Sequence, residues 1–210
     1  MVHSAWQIVR EHRRPYIALN GIYYGLVVLG MMYVAFVDPT LQEQLLTEIA
    51  SGFINGPLAT VGGAYLGGNV LAATVLTFVV NLLGGSLLAI TLPSLLLPFV
   101  GLVMGGWRAV LWGLALAPTS PEVALVMIPH SVVLLLEGQA YILAMLAVYI
   151  HGKSFLRPRS LGLTSHILGY VAGLKLSARL YLLVVIVLAV AAIYEALEVI
   201  LMVRLASGAW

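Results

Sequence analysis

The chain is built of long apolar runs separated by short polar breaks, and this pattern sets the architecture. A helix needs about 20 apolar residues to cross the hydrocarbon core of a bilayer. Five runs reach that length, at about 16–37, 69–92, 95–117, 123–150 and 180–203. The breaks between them carry residues that stop helices. Asp38-Pro39 ends the first run, and Pro93 and Pro98 bracket a tight hairpin at Ser94–Leu97. Pro118-Thr119-Ser120-Pro121 is a turn in which Ser120 caps the next helix, with Pro121 at its first position and Glu122 in its first turn. Pro129 falls inside the fourth run and is expected to kink or split it. The pattern predicts an all-α fold: a polytopic transmembrane helical bundle forming a single domain over residues 1–210, with about five spans and two interfacial helices.

Three further segments are amphipathic. In residues 40–66, Leu41, Leu45, Leu46, Ile49 and Phe53 recur at helical spacing beside Glu43 and Glu48. That spacing fits a helix lying at the membrane interface. Gly52, Gly56, Pro57, Gly62 and Gly63 interrupt the rest of this segment. Residues 160–178 predict a second interfacial helix, or in an alternative reading a short sixth span. Val2, Trp6 and Val9 with Arg10, Arg13 and Arg14 predict a short basic helix that anchors the chain or docks lipid or a partner. The first apolar run is too long for a signal peptide and lacks a small-x-small cleavage site, so it is expected to be retained.

Composition narrows the class. The 210 residues include ten Lys or Arg, eight Asp or Glu and no cysteine; 62% are hydrophobic and 9% charged. An average soluble domain carries about 25% charged residues. With a mean hydropathy of +1.07, the chain cannot cover a water-facing surface. That excludes a soluble enzyme, a disordered protein and a nucleic-acid binder. The lack of cysteine excludes disulfides, iron–sulfur clusters and thiolate metal sites. Charge position sets the expected orientation. Arg10, Arg13, Arg14, Lys153, Arg157, Arg159, Lys175 and Arg179 should be cytoplasmic. Asp38, Glu43, Glu48 and Glu122 then lie outside, with the N-terminus inside and the C-terminus, near Arg204 and Trp210, outside. The expected location is the inner membrane of a bacterium or archaeon. Expected partners are the lipid bilayer and other membrane proteins or a second copy, not nucleic acid.

Few ionisable residues fall within the apolar runs: Arg108, His130, Glu137, Glu195 and Glu198. Such groups are costly in hydrocarbon and usually face a partner or a cavity. Asn81, Arg108 and Glu137 each sit about half way along their spans, so the three could meet, with Arg108 pairing Glu137 and Asn81 taking up the spare hydrogen bonds. His130 precedes Glu137 by two turns and shares its face in a continuous helix. Glu195 and Glu198 share a face in the outer half of the last span. Three glutamates against one arginine leave at least one protonated, paired with Arg204, in contact with water, or held by a cation or partner. One reading is a proton or ion path through His130, Glu137 and the last-span pair. The other is a structural Arg108–Glu137 pair, with Glu195 and Glu198 near the headgroups.

No catalytic, cofactor or metal site is expected. His130 and Glu137 lack the i, i+3 or i, i+4 spacing of helical metal ligands, and neither GxSxG nor HExxH occurs. Gly21/Gly25, Gly63/Gly67, Gly101/Gly105 and Gly169/Gly173 fit GxxxG and predict close helix contacts. No internal repeat is visible, which weighs against an inverted-repeat transporter.

Asn69 with Ala73, Phe78 and Gly84 is followed by Gly101, Gly105 and Gly106, then by Pro129-His130 and the stretch from Glu137 through Gly138, Gln139 and Tyr141 to Ala144. In this pattern residues 65–152 resemble the stage II sporulation protein M family of integral membrane proteins. Ser131 stands where the family has glycine, and Glu137 follows His130 by two turns rather than one. The resemblance implies a membrane scaffold that holds other proteins. The leading expectation is therefore a non-enzymatic scaffold or assembly protein. The alternatives are a proton- or ion-coupled transporter or channel using His130, Glu137, Glu195 and Glu198, and an accessory subunit of a larger membrane complex. A water-accessible path to Glu137 would favour transport; a sealed midplane with Arg108 hydrogen-bonded to Glu137 would favour scaffolding.

Overall fold

A computed structural model describes residues 2–207; Trp210 lies outside the described residues. The fold is helical, with no strand among the described residues. In chain order the helices are α1 Val2–Glu11, α2 Arg13–Phe36, α3 Pro39–Ile54, α4 Ala59–Leu66 and α5 Val70–Leu96, then α6 Val100–Ala115, α7 Pro121–Leu156 and α8 His166–Ser207. Several starts reflect local chemistry. The Asp38 side chain accepts from the Leu41 N–H, Asn69 from the Ala72 N–H, and Ser120 from the Val123 N–H. These side chains satisfy backbone donors that the first turn leaves free.

Four helices, α2, α5, α7 and α8, are long and apolar enough to cross a membrane, as in a multi-pass membrane protein. The run at 95–117 gives only the 16-residue α6. At 1.5 Å per residue it is about 24 Å long, short of the roughly 30 Å hydrocarbon core. Its start is delayed because α5 continues through Pro93 to Leu96 and Phe99 takes a left-handed conformation, with φ 71°.

The segment 160–178 forms no separate interfacial helix. After a short turn at Pro158–Leu161 and Gly162, helix α8 runs unbroken for 42 residues. No proline interrupts it, and Gly169 and Gly173 hold its first turns against α7. A Cβ on Gly169 would lie 2.2 Å from the Ser154 carbonyl oxygen. Helix α7 is likewise continuous through Pro129 rather than split. There the Tyr194 hydroxyl donates to the Pro129 carbonyl and the Ser131 hydroxyl to that of Ile128. Residues 40–66 divide into α3 and α4, broken at Asn55–Leu58.

Helix α7 is the axis of the bundle. Every residue from Ala140 to Val148 is buried, and α2, α5, α6 and α8 all pack on α7. A helix buried on all sides is the centre of a bundle. The surrounding helices present Ile17, Leu29, Phe36, Leu71 and Val103 outward, surfaces that a bilayer would cover. Gly101/Gly105 and Gly169/Gly173 are internal contacts, whereas a Cβ on Gly21 or Gly25 would meet nothing within 4 Å.

The charges segregate to opposite ends. At one, Arg13 and Arg14 share a pocket with Lys153, Phe99 lies against Gly152, and Tyr170 donates to the Leu95 carbonyl. At the other, Gln42 of α3 donates to the carbonyls of Ala115 and Ala117 at 3.0 and 2.6 Å, and the Arg204 guanidinium lies against Gly68. The first is a basic end. The second carries Asp38, Glu43, Glu48 and Glu122 and is an acidic end.

Candidate functional site

Half way along α5 the chain departs from α-helical geometry. Residues 80–91 form a π-helix, a wide-turned form that is rare and frequent at functional sites. Asn81 lies in its first turn. Gly85 lies against the Tyr141 ring, where a Cβ would sit 2.9 Å from a ring carbon. The missing side chain admits the tyrosine hydroxyl to α5.

That approach builds a network across three helices. The Tyr141 hydroxyl donates to Asn81 Oδ1 at 2.9 Å. Arg108 Nη2 of α6 donates to the Tyr141 hydroxyl at 2.7 Å and to Asn81 Oδ1 at 3.3 Å. The Asn81 amide in turn donates to Glu137 Oε1. The guanidinium also stacks over the rings of Tyr141 and Trp112, at 4.2 and 5.5 Å, within cation–π range. The expected Arg108–Glu137 ion pair is present, but it is not a direct hydrogen bond. Their closest approach is 4.0 Å, too long for a hydrogen bond, and Asn81 and Tyr141 relay between them.

A second cluster lies nearer the acidic end. His130 Nδ1 meets Glu198 Oε2 at 3.0 Å. Glu195, one turn earlier on α8, lies in electrostatic reach of Glu137, His130 and Tyr65. The Tyr65 hydroxyl bonds Thr77 Oγ1 at 2.7 Å. Both glutamates thus act on His130, Glu198 through a direct contact and Glu195 through charge, and Glu195 also faces Glu137. Neither pairs with Arg204, because the ion pairs among the described residues are Arg108–Glu137 and His130–Glu198.

Both clusters border one cavity of about 530 Å³, within the usual range for small-ligand sites. Glu48, Gly52 and Leu116 line it at the acidic end. Thr77, Asn81, His130 and Glu195 line it as well, together with Tyr23, Arg108, Glu137 and Tyr141. Beyond Tyr23 and Tyr141 the buried segment Ala140–Val148 closes the way toward the basic end. Two polar atoms at the cavity, Arg108 Nε and Glu195 Oε2, are buried without a hydrogen-bond partner in the protein. Such groups cost about 1–3 kcal/mol each unless met, and the space can admit water or a small polar solute. Among the described residues no three histidines or carboxylates come together as a metal-binding group.

The structure brings Asn81, Arg108 and Glu137 into one network and places His130 and Glu195 on the same cavity. Glu198 reaches that cavity only through His130. Sequence reasoning misses Tyr141, Tyr23, Trp112, Tyr65 and Thr77. One signal exists for Tyr141: it lies four residues after Glu137, one helical turn on the same face. Tyr65 and Thr77 carry no such signal. No family model, no curated protein and no solved structure matches this chain.

Proposed function

We propose that this protein is a membrane transporter or channel that moves protons, alone or with a small polar solute, by way of Glu137. The observation that carries this reading is the cavity lined at once by Glu48 and Gly52 of the acidic end and by Arg108, Asn81 and Glu137. By the positive-inside rule the basic end faces the cytoplasm, so in this reading the Glu48 side of the cavity faces outward. An entering proton meets His130 and Glu195 before Glu137. When Glu137 binds it, attraction to Arg108 across 4.0 Å is lost, and the Asn81 relay must rearrange. Tyr23, Tyr141 and the core below them bar the cytoplasmic side, so passage requires a change in how α7 packs.

A second reading keeps the chain as a membrane scaffold similar to the stage II sporulation protein M family. It is favoured by where the resembling residues fall. Gly101 and Gly105 are packed on α5 and α7, and Asn69 caps α5. Here the Arg108–Asn81–Glu137 network locks the bundle, and α3, α4 and the 157–165 loop dock other proteins.

Proteoliposome flux separates the two. Under an imposed pH gradient the wild type should acidify its lumen, and Glu137→Gln should reduce that flux by about tenfold or more, since an intramembrane carboxylate on a proton route is not replaceable by an amide. Glutamine can still accept from Asn81, and a thermal melt of the variant in detergent checks that it is folded before flux is compared. Equal flux in both would rule out Glu137 as the route, and none in the wild type would rule out proton movement without a solute.

A further inference from the structure

At the basic end, far from the transport cavity, a second concavity is built where α1 turns into α2. Helix α1 packs on α8 with Ala5, Ile8 and Val9 buried, while Val2 and Trp6 stay about half exposed. The turn is held by His12, whose Nδ1–H donates to the Ile8 carbonyl at 2.9 Å. The carbonyl can only accept, so Nε2 is the free nitrogen. The resulting pocket of about 420 Å³ is lined by Glu11, His12, Arg13, Arg14, Tyr149 and Lys153.

Its charge is not compensated by the protein. Arg13, Arg14 and Lys153 bring three permanent positive charges against one carboxylate, Glu11. None of the three cations is in an ion pair, because the pairs among the described residues lie elsewhere. Arginine presents paired N–H donors suited to phosphate oxygens. The pocket sits where the apolar run of α2 begins. Ile17, one turn beyond Arg13 and on its face, is 66% exposed. A headgroup phosphate in the pocket would leave an acyl chain lying along Ile17, whereas a soluble phosphate would have no use for that surface. Basic pockets between helices on the cytoplasmic side hold anionic headgroups by this chemistry.

We infer that the pocket of Arg13, Arg14, His12, Tyr149 and Lys153 binds the phosphate headgroup of an anionic phospholipid. The site is independent of the transport reading. The test measures binding of phosphatidylglycerol to the full-length protein in neutral detergent by native mass spectrometry. Phosphatidylcholine, inorganic phosphate and glycerol 3-phosphate serve as comparison ligands. Each lost cation should weaken binding about fivefold, so Arg13→Gln/Arg14→Gln/Lys153→Gln should weaken it on the order of a hundredfold. Arg157→Gln/Arg159→Gln/Lys175→Gln removes the same charge outside the pocket and should leave affinity within about threefold. Should the first triple variant fold poorly, Lys153→Gln alone should show the fivefold loss with an unchanged melting temperature. Equal losses in the two triple variants would reduce the effect to general surface charge and overturn the site. Displacement of the lipid by millimolar glycerol 3-phosphate would overturn the lipid as its source.

Discussion

Replacing Arg108 with leucine is expected to destabilise the protein by about 3–5 kcal/mol, the usual cost of removing one partner from a buried ion pair. Three groups depend on the guanidinium. It donates to the Tyr141 hydroxyl and to Asn81 Oδ1, and it supplies the positive charge near Glu137, which is only 8% exposed. Without it the carboxylate is left buried beside an amide and a phenol that cannot neutralise it. Arg108→Leu/Glu137→Leu removes both charges together and should recover more than half of the loss, because a buried pair replaced by apolar residues is often neutral in stability. Thermal melts of the purified protein in detergent measure both. A double variant no more stable than the single one would mean that Arg108 acts by packing on Tyr141 and Trp112 rather than by charge.

The second large effect is steric. Gly169→Ala adds a methyl group whose carbon would lie 2.2 Å from the Ser154 carbonyl oxygen and 3.1 Å from Pro158 Cβ. These are backbone and ring atoms that no rotamer change can move, so α7 and α8 must separate by roughly 1 Å. The cost should reach or exceed the roughly 1–3 kcal/mol typical of overpacking. Gly21→Ala is the matched comparison, since its Cβ would meet nothing within 4 Å. There alanine should be neutral or stabilising by up to about 1 kcal/mol through helix propensity. Melting temperatures that fall alike in both would place the GxxxG face of α2 against a neighbouring molecule.

These two sites also mark where the sequence is readable. The apolar runs and their Pro and Asp stops locate the four long helices, and Ser120 caps α7 as its spacing implies. The depth of Asn81, Arg108 and Glu137 within their spans is enough to bring them together, because all three polar groups must avoid the bilayer. Depth does not supply rotation and register between helices. Heptad spacing puts His130 and Glu137 on one face, but nothing local shows that Glu198 bonds His130 while Glu195 also reaches Glu137. The π-helical stretch over 80–91 re-aims Asn81, and its only trace in the sequence is Gly84-Gly85 in mid-span. The continuation of α8 back to His166 escapes a reading by polarity, because mixed polarity ordinarily marks an interface. Gly169 and Gly173 instead make that stretch a packing surface for α7.

If protons travel by way of Glu137, water reaches the middle of the bundle from the acidic end. The chain has no cysteine, so a single introduced thiol reports without background. Leu134 lines the cavity one turn before Glu137, whereas Met145 is 1% exposed in the core. Leu134→Cys in sealed, right-side-out vesicles should react with a charged, membrane-impermeant methanethiosulfonate added outside, and Met145→Cys should not. A Leu134→Cys thiol that resists the charged reagent but reacts with a membrane-permeant one would contradict the account, because the path to Glu137 would then be closed to water.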